Sequence, residues 1–222
     1  MATALIDAIK AKDVDAARAA RAADPASAGV ATPDGTSPVC LAVYYGQPEI
    51  AEAIAAAKGD LDTFEAAVLG RVDRIAALLD ADPGQANALA RDGFPALGLA
   101  AYFKHPSAVR LLLDRGADPN QAAANAAKVT ALHAAVSSNQ PRIVEWLLEA
   151  GADVNARQQM DYTPLMGAAA NARLDIMAML LSRGADPTLK TTDGKTAADL
   201  AREHGHEEIA RDLEQPAAEG QG

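Results

Sequence analysis

The chain has 222 residues and a formal charge of −10 at pH 7; half of its residues are apolar, 4% are aromatic and 23% are charged. This apolar content is that of a folded chain and excludes an intrinsically disordered one. The abundant alanine, the strongest helix former, favours thin and closely packed helices. The acidic balance disfavours nucleic acid and anionic membranes as partners, because both are bound mainly through Lys and Arg.

The N-terminal sequence alternates apolar and charged residues and has no continuous apolar run of signal-peptide length. No stretch approaches the roughly 18–20 apolar residues of a membrane-spanning helix. Cys40 is the single cysteine, which excludes an internal disulfide. We therefore expect a cytoplasmic protein that binds no membrane, and we take a monomer as its state.

A repeated pattern runs through the chain. The string Gly-Ala-Asp begins at positions 116, 151 and 184, at spacings of 35 and 33 residues, and each copy follows an apolar run. Glycine just beyond such a run predicts the end of a helix. Thr130 and Thr163 precede the next apolar runs and predict helix starts. The pattern therefore predicts helices that recur in pairs.

These motifs resemble the ankyrin repeat, in which a β-turn finger is followed by two antiparallel helices. TALHAA at 130–135 and TPLMGA at 163–168 match the first-helix signature T-P-L-H-x-A, and GADVN at 151–155 matches the end of the repeat. The resemblance covers about residues 3–214, in the style of short bacterial members of the family. It implies an all-α solenoid that binds another protein.

Extending this register predicts seven helix pairs, with inter-helix turns near Lys12, Gly46, Gly70, Lys104, Asn139, Ala172 and Gly205. We expect one solenoid over 1–214, with an N-terminal cap at about 1–29, internal repeats at about 30–190 and a C-terminal cap at about 191–214. The tail over 215–222 is expected to be disordered.

Two features depart from a regular repeat. Only 24 residues separate Gly46 from Gly70, which is too short for a finger between the second and third pairs. We expect this missing finger to leave the concave groove open beside Val68 and Leu69. Lys128 and Asp161 stand where other fingers have glycine, which predicts a positive φ at both.

The sequence offers little for catalysis. His133 matches the family's structural histidine, which by resemblance hydrogen-bonds within its turn and toward the neighbouring repeat. His105 is expected to be exposed and inert, and Cys40 to be a buried small hydrophobe without a basic neighbour to lower its pKa. No phosphate loop, nucleophile elbow or H-E-x-x-H motif is present. We expect no enzymatic activity and no cofactor.

The segment around His204, His206 and Glu207 is the strongest candidate for metal binding. Zinc ligands lie one helical turn apart on one face or in paired short turns, with further ligands elsewhere. Gly205 interrupts the helix between the two histidines, and no Cys or other His lies near them in the register. We therefore predict no metal site here.

The aromatic residues carry the functional prediction. The resemblance implies that the two positions before each inter-helix turn face the concave groove. Those positions are Tyr44, Tyr45, Val68, Leu69, Tyr102, Phe103, Ser137, Ser138, Ala170 and Asn171. Exposed aromatic side chains are favoured interface anchors, which predicts an apolar binding stripe of roughly 20 Å from Tyr44 to Phe103. The alternative is that Tyr45 and Phe103 only pack against adjacent helices.

The leading hypothesis is a protein-interaction module that grips an apolar segment of a partner in this groove. The finger positions expected to set its specificity are Arg91, Phe94, Lys128, Gln159 and Tyr162. A second hypothesis keeps the fold but makes the chain an acidic regulatory, inhibitory or immunity-type protein that blocks a basic partner. A third makes it a metal- or small-molecule-dependent protein using His204, His206 and Glu207.

Overall fold

The computed structural model describes residues 2–214, a range that folds into fourteen α-helices. In chain order they are α1 (Ala2–Ala11), α2 (Val14–Ala23), α3 (Pro38–Tyr44), α4 (Pro48–Lys58), α5 (Thr63–Val68), α6 (Val72–Ala81), α7 (Ala96–Tyr102), α8 (Pro106–Asp114), α9 (Ala131–Ser137), α10 (Pro141–Glu149), α11 (Pro164–Ala170), α12 (Leu174–Ser182), α13 (Ala197–Glu203) and α14 (Glu207–Glu214). The tail over 215–222, predicted to be disordered, lies outside the described residues.

Successive helices pack as seven hairpins, α1 with α2 through α13 with α14, so the predicted all-α solenoid is confirmed. Each predicted inter-helix turn contains one residue with a positive φ of 50° to 82°, including Lys104 and Ala172. The N–H that follows this residue bonds the carbonyl five residues earlier, as from His105 to Ala100 and from Arg173 to Ala168. This is the Schellman ending, which satisfies helix carbonyls and reverses the chain within a few residues.

The odd-numbered helices stack side by side and form the inner layer, which lines the concave face. Four of them, α5, α7, α9 and α11, each bury a pair of adjacent alanines almost completely. These pairs are Ala66-Ala67, Ala100-Ala101, Ala134-Ala135 and Ala168-Ala169. Because alanine projects only a methyl group, neighbouring helices approach closely, and Leu97, Leu132 and Leu165 fill the space toward the outer layer.

Asparagine side chains tie successive repeats together on the edge opposite the inter-helix turns. Asn120 donates from Nδ2 to the carbonyl of Gly151 at 3.0 Å and accepts the N–H of Asp153 on Oδ1 at 2.7 Å. Asn87 makes the same two bonds one repeat earlier, and Asn155 makes them one repeat later. The final asparagine of the GADVN motif therefore satisfies backbone groups at the end of the next outer helix.

Backbone hydrogen bonds also join the fingers of the fourth to seventh pairs. Ala124 donates to Gly93 at 2.9 Å, Gln159 to Ala127 at 2.9 Å, and Thr192 to Met160 at 3.0 Å. The prediction of positive φ is confirmed, with 51° at Lys128 and 59° at Asp161, and Met160 shares it at 62°.

No finger separates the second and third pairs. The helix α4 ends at Lys58, Gly59 turns the chain with a φ of 74°, and α5 starts after the N-cap residue Asp62. The joint is closed by Glu65, whose side chain is fully buried and accepts from Lys58 Nζ at 2.6 Å and from the N–H of Asp62 at 3.1 Å. The sequence prediction of a missing finger is confirmed.

The prediction that this gap leaves the groove open is wrong. The second finger (31–36) lies directly against the fourth (90–94), because no third finger keeps them apart. The Tyr44 hydroxyl donates to Asp92 Oδ2 at 3.1 Å, and a Cβ added to Gly35 would overlap the side chain of Arg91. Val68, at the bottom of the gap, is only 2% exposed.

This contact predicts unequal effects for two matched glycine substitutions. Gly35 and Gly194 occupy the same place in their fingers, with φ of 91° and 85°, but nothing lies within 4 Å of a Cβ at Gly194. An alanine would therefore strain the backbone at either position, but its Cβ would clash with a neighbour only at position 35. We expect Gly35→Ala to lower the free energy of unfolding by about 1–3 kcal/mol more than Gly194→Ala. Urea unfolding followed by circular dichroism measures this difference, and equal losses would contradict the contact between fingers.

Candidate functional site

A cleft of about 480 Å³ opens on the concave face between the fourth and sixth pairs. Phe94, Tyr102 and Phe103 line it from the fourth pair, and Tyr162 lines it from the sixth. Gly98, Ala134 and Gly167, on α7, α9 and α11, are the small residues that leave this space. All of the lining residues are apolar or uncharged polar, with His133 as the only titratable ring besides the tyrosines.

The aromatic residues of the cleft hold one another in place. The Tyr44 and Phe103 rings stack with centroids 5.7 Å apart and an interplanar angle of 8°, and Tyr102 meets the Phe103 ring edge-on at 5.1 Å. Burial raises the pKa of the Tyr44 phenol, so the hydroxyl stays protonated and donates to Asp92. Tyr102 is 51% exposed. The cluster therefore fixes two rings in the fold and leaves the third facing solvent.

The structure separates the predicted groove residues into two sets. Those that line the cleft are Tyr44, Tyr102, Phe103, Ser137 and Asn171, together with the finger residues Phe94 and Tyr162. Tyr45 and Leu69 are half-buried against the core and do not line it. The prediction that Val68 contacts a partner is wrong, because its side chain is buried. The apolar stripe expected from Tyr44 to Phe103 therefore gives way to a cleft that extends to the sixth pair.

The remaining finger positions lie around the cleft rather than in it. Arg91 lies beside Gly35 of the second finger, and Lys128 is exposed directly before Val129, which does line the cleft. Gln159 is exposed and borders a second, shallower pocket near Met160.

Several lining residues were not predicted. They are Pro95, Gly98, Leu99, Val129, His133, Ala134, Val136, Gln158, Thr163, Pro164 and Gly167. The sequence held a signal for two of them. Gly98 and Gly167 interrupt first helices that are otherwise rich in alanine, and glycine there is about 1 kcal/mol less favourable than alanine, which marks both positions for attention.

His133 is held on both ring nitrogens. Nε2 lies 3.1 Å from the carbonyl of Tyr162, which only accepts, so this nitrogen carries the proton. Nδ1 is then the acceptor for the Thr130 hydroxyl at 2.8 Å. The ring thus links its own turn to the next repeat and has no nitrogen left for proton transfer.

The other candidates for chemistry are also engaged in structure. Cys40 is buried, and burial raises the pKa of its thiol to about 12, which suppresses the thiolate. The prediction that His105 is exposed is wrong, since the ring is half-buried and its Nε2 donates to the carbonyl of Val68 at 2.9 Å. His204 is exposed, and its Nδ1 lies 2.9 Å from the carbonyl of Leu200.

Within residues 2–214, no group of three or more His, Cys, Asp or Glu side chains is arranged to hold a metal ion. Over the same described range, no helix combines the length and apolar character needed to cross a membrane.

Comparison with known proteins agrees with the geometry of the stack. The family model of ankyrin repeats matches residues 54–158 and 125–191, more than half of the chain. The chain belongs to the ankyrin-repeat family. Ankyrin repeats mediate protein–protein interactions, and the repeats themselves are not catalytic.

Similar relatives are much longer proteins. Neurogenic locus notch homolog protein 4 of Homo sapiens is 35% identical over 155 residues, which is 69% of this chain and 7% of the relative. BCL-6 corepressor-like protein 1 of Homo sapiens is 47% identical over 72 residues, 32% of this chain and 4% of the relative. E3 ubiquitin-protein ligase hecd-1 of Caenorhabditis elegans is 42% identical over 79 residues, 34% and 3% respectively. The ankyrin-repeat chain therefore spans less than a tenth of each of these proteins.

The environment of His133 predicts a pH dependence of stability. Burial lowers the pKa of this ring below its ordinary value of 6.5. Near pH 6.5 the unfolded chain takes up a proton that the folded chain refuses, so the stabilisation by neutral His133 is present above this pH and is lost as the pH falls below it. We expect His133→Gln to remove part of the slope of unfolding free energy against pH, at most about 1.4 kcal/mol per pH unit.

Urea unfolding of the wild type and of His133→Gln between about pH 5 and about pH 7 measures this slope. Parallel pH profiles of the two proteins would contradict the role given to burial.

Proposed function

We propose that this chain is a non-enzymatic interaction module that binds a partner polypeptide in the cleft between the fourth and sixth pairs. The observation that carries the proposal is Tyr102, an aromatic ring about half exposed at the mouth of an uncharged cleft. An exposed aromatic residue of this kind is a favoured interface anchor, because burying it removes much apolar surface from water.

The cleft is suited to a short apolar segment. Its volume of about 480 Å³ lies within the range of ligand-sized sites, so it can take a few side chains rather than a folded domain. Aromatic walls supply apolar contact, while Ser137, Gln158 and Asn171 offer polar groups for a peptide backbone. Because the walls are held by ring stacking and by the fingers, little ordering is needed on binding, which favours affinity.

A second candidate function is the acidic inhibitor of a basic partner. It is favoured by exposed carboxylates that recur after the outer helices, at Asp82, Asp118 and Asp153. Such a partner would bind this edge rather than the cleft, and its affinity would fall steeply with salt because the contacts are exposed charges.

The proposed function is tested by selecting ligands from a random dodecapeptide display library and measuring their affinities by fluorescence polarisation. We expect Tyr102→Ala to weaken the selected peptides at least about tenfold, the loss typical of an interface hot spot. Tyr45→Ala is the matched control, because Tyr45 is a partly buried tyrosine at the end of the inner helix α3 that does not line the cleft. Circular dichroism checks that both variants keep their helices.

Two results would overturn the proposal. One is a library that yields no binding peptide, and the other is a set of peptides that bind wild type and Tyr102→Ala equally well.

A further inference from the structure

Charge is divided unevenly between the concave face around the cleft and the remaining chain. The segments 88–105, 121–140 and 157–173, which form the fingers and inner helices of the fourth to sixth pairs, contain five basic and two acidic residues. Their net charge is +3, whereas the whole chain carries −10, so the remaining residues carry −13. A partner that enters the cleft therefore meets a local charge opposite in sign to that of the protein.

Both acidic residues of these segments are already engaged. Asp92 accepts from the Tyr44 hydroxyl at 3.1 Å, and Asp161 pairs with Arg157 at 3.6 Å. Lys104 and Lys128 are exposed, and neither forms an ion pair within residues 2–214. These two ammonium groups are therefore available to a partner.

The two lysines stand at opposite ends of the cleft. Lys104 follows Phe103 in the turn between α7 and α8, and Lys128 precedes Val129 at the base of the fifth finger. Between them, the lining carries no ionised side chain. The inner helix α7 has seven residues and is thus about 10 Å long, the span of about three residues of extended chain.

We propose that the polypeptide bound in the cleft is a short apolar stretch, about three residues long, with Asp or Glu on both sides. The apolar residues pack against Tyr102 and the small residues of the inner helices, and the flanking carboxylates lie near Lys104 and Lys128. This inference rests on the proposed function and adds the chemistry of its partner. It reverses the expectation from net charge, which points to a basic partner.

The observations favour an acidic peptide over a nucleic acid. Nucleic-acid affinity grows with the number of phosphates that Lys and Arg neutralise, and single strands are held along a continuous basic groove. Here no Lys or Arg side chain lines the cleft itself, so the cleft lacks a continuous basic groove.

The sequences of the selected dodecapeptides test this inference directly. We expect Asp and Glu to be enriched over Lys and Arg on both sides of an apolar core. Lys104→Glu/Lys128→Glu should weaken acidic-flanked peptides about tenfold, since like charges then face each other, and should strengthen the same peptides with Lys flanks. Lys10→Glu/Lys12→Glu is the matched control, because it makes the same charge change on exposed residues of the first pair and should leave both affinities unchanged.

The outcomes separate this inference from the function on which it rests. Peptides that are lost on Tyr102→Ala but carry neutral or basic flanks would overturn the acidic partner and leave the cleft as the binding site. Equal effects of the two double variants would overturn it as well, since only overall charge would then matter. A labelled oligothymidylate that bound more tightly than the acidic peptides, and competed with them, would replace the peptide with a nucleic acid.

Discussion

The stacking of Tyr44 on Phe103, together with the hydrogen bond from Tyr44 to Asp92, is the interaction on which the concave face depends. The third pair has no finger, so the fourth finger has no third finger with which to pair. The aromatic stack bridges this gap from the second pair to the fourth, and Val68 of the third pair is buried. A ring pair and a hydrogen bond to a carboxylate, both partly shielded from water, are stronger here than on an open surface.

The same bridge decides where the molecule can bind. The Tyr44 and Phe103 rings pack against each other and stabilise the fold. Tyr102, which contacts Phe103 edge-on, remains exposed at the mouth of the cleft. From the fourth finger onward, backbone bonds between fingers keep the stack regular, and glycine or alanine on the inner helices leaves room between the aromatic walls. The cleft thus lies beside the place where the third finger is missing. There the stacked rings of Tyr44 and Phe103 adjoin the small residues Gly98 and Ala134.

Net charge alone describes this surface poorly. The chain carries −10, yet the segments around the cleft carry +3, because the acidic residues concentrate on the outer helices and the loops after them. A partner is steered by the overall field at long range, but within a Debye length of roughly 8–10 Å it responds to the nearest charges. The location of a charge on the solenoid therefore matters more for recognition than the total.

Much of the fold follows from local chemistry, which is why the sequence predicts it. Three residue types act within one repeat or between neighbouring repeats: the glycine after each apolar run, the threonine before the next run, and the recurring Asn of GADVN. Their spacing therefore determines the helix pairs, the turns and the asparagine hydrogen bonds between repeats. The left-handed turns at Lys104 and Ala172 were located by register alone, although neither is glycine. The missing finger was likewise evident from a spacing of 24 residues.

What only the tertiary structure decided is how the second and fourth fingers meet. Gly35, Tyr44, Asp92 and Phe103 come together from parts of the chain up to 68 residues apart, and no local pattern states which side chains fill a missing element. For that reason the sequence predicted an open groove at Val68, an exposed His105 and an apolar stripe from Tyr44 to Phe103. In the structure Val68 is buried, His105 is half-buried and donates to the Val68 carbonyl, and the cleft extends to the sixth pair. Short-range spacing determines the repeats; the site arises where long-range packing compensates for an irregularity in them.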